Sequence, residues 1–107
     1  MHRIIVTRRA EREMEEFASW WATNRSAEQA SRWLAGFGER LQSLVNAPMR
    51  CSLAFENEHF PYELRELHYG IGRRPTHRAV FTIAHDLVIV LAIRHVAQDQ
   101  LQLFDLT

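Results

Sequence analysis

Three strand-like runs between Leu64 and His95 constrain this chain more than any other feature. They are Leu64–Tyr69, His77–Ile83 and Leu87–His95, with a Gly-rich turn between the first two and a short turn between the last two. Runs of β-branched and aromatic residues bounded by turn signals read as strands, and short connections make consecutive strands antiparallel neighbours. Each run brings an arginine: Arg65, Arg78 and Arg94. His68, His77 and His95 lie on the same three runs. Adjacent strands would bring the arginines within reach of one another, forming a cationic surface suited to phosphate groups or acidic partners.

The upstream half supplies the layer that must cover such a sheet. Arg3–Val6 is a short β-branched strand, and Thr7 can cap the helix after it. Ala10, Met14, Phe17 and Trp21 then recur at helical spacing, opposite faces that carry Glu11, Arg12, Glu13, Glu15 and Glu16. Asn24-Arg25 breaks this helix. Ser26 with Gln29 three residues on is a capping-box signature for a second helix, whose stripe is Ala30, Trp33, Leu34, Phe37, Leu41, Leu44 and Val45 and which ends before Pro48. So short a connection predicts a helical hairpin. Residues 50–61 show neither period and read as a loop.

The expected fold is therefore α+β, in the order β-α-α-β-β-β. A helical hairpin packs on one face of a four-stranded antiparallel sheet, with residues 1–107 forming a single domain and the other face left for water or a partner. The last strand, apolar until Arg94, is expected at the centre of the sheet. Gly36 and Gly38 each cost the second helix about 1 kcal/mol relative to Ala. Either close helix packing or a partner pressed against the backbone should offset that cost. Trp20 lies about 100° around the helix from the apolar stripe, so it is expected to stay partly exposed and to offer an anchor for a partner.

Composition narrows the chemistry. The chain has 107 residues, with 13 basic and 13 acidic ones, and every basic residue is arginine. Neutrality argues against nonspecific nucleic-acid binding, yet from Arg65 to His95 five arginines face only Glu66 and Asp86. Arg73, Arg74 and His77 are accordingly candidate target-binding or nucleic-acid-binding residues, although the glycines before them read as a hairpin turn because no helix follows. The single cysteine, Cys51, supports neither a disulfide framework nor a cysteine zinc site. The histidines form no HxH or HExxH motif, so neither a metal nor a cofactor is expected. The longest apolar run is too short to span a bilayer and no apolar h-region follows Met1-His2-Arg3, so the expected location is the cytoplasm, without a membrane partner.

The element order, the Leu64-Arg65-Glu66-Leu67 segment, the His77-Arg78-Ala79-Val80-Phe81 strand and the Val90-Leu91-Ala92-Ile93-Arg94-His95 ending together resemble the RelE/ParE superfamily of bacterial toxin-antitoxin toxins, from Ile4 to about Asp99. The resemblance implies a growth-inhibiting toxin of the plasmid-stabilisation type, held in a heteromeric complex by a cognate antitoxin that often represses the operon with it. Trp20, Trp33, Gly36 and Phe37 are then the expected antitoxin-binding residues. It also implies one of two mechanisms. A RelE-like member would cut messenger RNA on the ribosome, with Arg65, Arg78 and Arg94 as phosphate clamps and His95 as acid or base. A ParE-like member would bind DNA gyrase and poison it. Neutral charge, absent lysine and the lack of a C-terminal tyrosine, the only tyrosines being Tyr62 and Tyr69, tilt the reading toward the ParE-like binder. A non-toxic binding module on the same fold is a third reading. Each residue also has a structural alternative: a surface ion pair with Glu63 or Glu66 for Arg65, a buried carboxylate partner for Arg78, and packing at a strand end for His95.

Overall fold

The computed structural model describes residues 1–98 and 101–106. Strand β1 spans Arg3–Val6, helix α1 Arg8–Asn24, helix α2 Ala27–Gln42, and strands β2, β3 and β4 span Arg65–Tyr69, His77–Ala84 and Leu87–His95. Both helices start where the capping residues predict. Thr7 Oγ1 accepts from the Ala10 amide at 3.2 Å and Ser26 Oγ from the Gln29 amide at 3.0 Å. Thr7 Oγ1 also donates to the Val90 carbonyl at 2.9 Å, which ties the first turn of α1 to the middle of the sheet.

The sheet order is β1-β4-β3-β2. The pairs β2–β3 and β3–β4 are antiparallel, and β4 is central as its apolar run predicts. The expected all-antiparallel sheet is corrected at one edge: β1 is parallel to β4, with Arg3 opposite Leu87 and Val6 opposite Val90. The helical hairpin explains this. It returns the chain to the end from which β1 departs, where the His2 amide donates to the Val45 carbonyl at 2.9 Å. Strand β2 therefore leaves in the direction of β1, two hairpin reversals follow, and β4 comes back parallel to β1. The sheet is mixed and the fold α+β.

Both faces of the sheet are covered. On the helix side Trp33, Phe37, Leu41 and Leu44 of the α2 stripe and its continuation meet Leu67, Ala79, Phe81, Val88, Val90 and Ile93. The expectation of an open second face gives way to a smaller core, in which Ala54, Phe60 and Leu64 from the long connection and Leu101 from the C-terminal segment pack on Val80 and Ala92. Central strand β4 is thus buried from both sides, which is why it tolerates no polar residue before Arg94. Among the described residues no helix is long and apolar enough to cross a membrane.

Gly36 is offset by close packing against the sheet. A Cβ there would lie 2.2 Å from the Tyr69 hydroxyl, which itself donates to the Trp33 carbonyl at 3.0 Å. Gly36→Ala should lower stability by about 1–3 kcal/mol, as overpacking of a filled site does. Urea denaturation of Gly36→Ala, Tyr69→Phe and the double variant checks this. The double variant should lose less than the sum of the two, and strict additivity would rule the contact out. Gly38 has open space around it, and its cost has no such explanation.

Candidate functional site: a divided arginine set and an aromatic groove

Successive residues of a strand point to opposite faces. Arg65 shares its face with Leu67, on the helix side, whereas Arg78 shares its face with Val80, on the other. Arg94 is the register partner of Arg78, and His95 that of His77. The sheet therefore brings together Arg78 with Arg94 and, separately, His77 with His95, while Arg65 sits opposite Phe81, nearer the other end. The expected cluster of Arg65, Arg78, Arg94 and His95 is divided by the sheet itself, because its members differ in parity.

The guanidinium of Arg78 is committed to carboxylates. Its Nη1 and Nη2 donate to the two oxygens of Glu56 at 2.8 and 2.5 Å, and Nη1 also reaches Glu66 Oε1 at 3.3 Å. The Glu56 side chain is wholly buried and the Arg78 side chain is 5% exposed. The Leu101 amide donates to Glu56 Oε2 at 2.8 Å, and the Phe55 ring lies 5.7 Å from the guanidinium carbon. Burial by itself would push the Glu56 carboxyl up, but the Arg78 fork and the Leu101 amide hold it below the usual carboxylate range. Burial acts against the charge of Arg78 too, and Glu56 and Glu66 more than restore it. Sequence reasoning flagged Arg78 and named a buried carboxylate as one alternative; it missed Glu56, which lies in the stretch read as loop.

Arg65 acts as a staple. Its Nε pairs with Glu63 at 2.9 Å, while Nη1 donates to the carbonyls of Met49 and Cys51 at 3.1 and 2.6 Å, fastening residues 49–51 to β2. On the far side of Glu66, His68 Nε2 lies 2.7 Å from the second carboxylate oxygen. His95 Nδ1 accepts from the Ala97 amide at 3.0 Å, an arrangement that closes the end of β4.

A groove of about 680 Å³ opens between the C-terminal half of α1 and the adjoining ends of β3 and β4, lined by Phe17, Trp20, Trp21, His77, His95 and Gln98 among others. Trp20 is 51% exposed on its rim, edge-on to Trp21 at 5.6 Å. His77 forms part of the floor, with its ring 4.5 Å from Phe17, 5.0 Å from Trp33 and 5.1 Å from His95, and its Nδ1 2.8 Å from Thr76 Oγ1. Burial first, and the neighbouring His95 second, push the His77 imidazole down to about 4, so His77 is uncharged at neutral pH. Glu16 and Arg25 sit at its edge. This arrangement suits an amphipathic segment with a large apolar side chain. Of the residues expected to meet an antitoxin, Trp20 is exposed on the rim of this groove. Trp33 and Phe37 are fully buried and Gly36 packs against Tyr69, because all three belong to the core stripe of α2. His77 likewise is only 4% exposed, whereas Arg73 and Arg74 are exposed on the β2–β3 turn.

Two helices over one face of a four-stranded mixed sheet make a small α+β domain of a kind found in toxin-antitoxin modules. One solved structure, "Chromosomal ParDE TA system from P. aeruginosa", is similar with a TM-score of 0.72 at 19% identity, over 90% of this chain and 97% of that one, a likeness of fold. The family model of the ParE toxin of the type II toxin-antitoxin system, parDE, matches residues 4–100, and the chain belongs to that family. Comparison with curated proteins gives no match.

Proposed function

We propose that this toxin stops growth by binding an essential target, DNA gyrase, in the cytoplasm, and that a cognate antitoxin neutralises it in a heteromeric complex by docking across the groove at Trp20. The division of the arginine set carries the reading. Cleavage of messenger RNA by its own 2′-OH needs an acid, a base and cations converging on one phosphate. Here Arg65 and Arg78 lie on opposite faces of the sheet and both are engaged, one with backbone carbonyls and the other with Glu56 and Glu66. A binder needs no such convergence. Exposed Trp20 above an apolar groove is the type of anchor around which protein interfaces concentrate their energy, and a permanent complex would bury on the order of 2,000 Å² or more.

A pulse of expression without antitoxin tests the mechanism. The expected result is inhibited supercoiling by gyrase with DNA damage and intact messenger, both effects vanishing on co-expression of the antitoxin. Codon-positioned 5′ ends on messenger RNA would instead establish the ribonuclease, and continued growth without either effect would favour the non-toxic binding module.

A further inference from the structure

We infer that the edge of the sheet beneath the C-terminal end of α2 is a nucleic-acid backbone site, in which Arg40, Arg50 and Arg73 hold consecutive phosphates. Two cavities lie side by side along this edge. The larger, about 540 Å³, has Arg40, Arg50, Ser43, Ser52 and His68 in its wall, and the smaller, about 330 Å³, has Arg40, His68 and Arg73. Arg40 and His68 form the partition between them, with Arg40 Nη2 fixed on the His68 carbonyl at 3.1 Å. The arginines are thus distributed over both cavities, Arg40 at the partition, Arg50 in the larger and Arg73 in the smaller.

The acid that lines either cavity is Glu66, and its carboxylate is already shared by Arg78, His68 and the Phe55 amide. Glu39, beside Arg40 on α2, is the further acid near the strip. The field of the strip reaches into the larger cavity, where burial raises the Cys51 thiol and Arg40 and Arg65 partly counter that rise. Arg40, Arg50, His68 and Arg73 are all exposed. Arginine forks grip phosphate oxygens bidentately, and the hydroxyl of Ser52 adds a neutral donor of the sort that positions a backbone without reading its sequence. A lone phosphate would need one cavity. Two joined cavities with a shared cation fit a chain of phosphates, and duplex DNA presents that at regular intervals. An acidic peptide would call for apolar anchor pockets between the cations, and the exposed aromatics line neither cavity: they are Trp20, Phe55 and Tyr62.

The test is fluorescence anisotropy of the purified toxin with a short labelled DNA duplex, free of gyrase, so that it stands apart from the proposed target. Three arginine contacts predict a salt slope near −2.7, so raising salt from roughly 50 mM to roughly 200 mM should weaken binding by about 40-fold. Arg40→Ala, Arg50→Ala and Arg73→Ala combined should abolish binding and slope, while the three changed to Lys should keep the slope. Circular dichroism confirms that these surface variants fold. No binding at low salt, binding unaffected by the triple alanine change, or displacement of DNA by an acidic peptide better than by unlabelled DNA would each overturn the assignment.

Discussion

Arg78→Met should lower the unfolding free energy by about 3–5 kcal/mol, the largest loss expected from any single polar substitution in this chain. The loss comes from what remains. Glu56, wholly buried, keeps the Leu101 amide but loses both hydrogen bonds from its counter-ion. Combining Arg78→Met with Glu56→Gln should recover part of the loss, since no unpaired charge is left inside and the glutamine oxygen can still accept from Leu101. Urea denaturation of the two variants decides the point, with Arg73→Met as an exposed control expected within about 0.5 kcal/mol of the parent. Should Arg78→Met behave like that control, the buried pair would not be holding the second face.

Acidification should destabilise the protein through His77, and in a definable window. The unfolded chain takes up a proton near pH 6.5, whereas the folded imidazole resists until about 4. Stability is therefore complete above pH 6.5, falls as the pH drops between these values, and levels off below the lower one. At 1.36 kcal/mol for each pH unit, this residue accounts for a loss of about 3 kcal/mol. Because Glu56 is held low, its own contribution is lost only at still lower pH, as the carboxyl protonates below its usual 4.5. His77→Phe keeps a ring against Phe17 and Trp33 and removes the titration. Unfolding midpoints across the window should diverge between parent and variant, and parallel pH profiles would show that His77 carries no such linkage.

Much of this architecture was legible in the residues because it rests on local signals. Thr7 and Ser26 marked the helix starts, the stripe through Trp33, Phe37 and Leu41 marked the face turned to the sheet, and the unbroken apolar run of β4 marked a central strand. What stayed hidden depends on partners far apart in the chain. A period of two says which residues share a face within one strand and nothing about which strand lies beside it, so the parallel β1–β4 pairing and the separation of Arg65 from Arg78 emerge only from the register. Glu56 had no signal of its own, since an isolated acid in an aperiodic stretch looks solvated until Arg78 is seen above it. Trp33, Gly36 and Phe37 were read toward a partner when their spacing equally fitted a core. Trp20, one residue off the stripe, could be separated from them by geometry alone.

The parallel edge also sets a schedule for the nascent toxin. Strand β1 emerges long before the strand it joins: Arg3 waits for Leu87 and Val6 for Val90. The helical hairpin, built from neighbouring contacts, can assemble while synthesis continues, but its inner face has no sheet to settle on until β4 leaves the ribosome. A ribosome that stops before Leu87 thus releases a chain without its central strand. Such a chain leaves β1 without the partner it pairs with and the α2 stripe without Val88, Val90 and Ile93 to pack on.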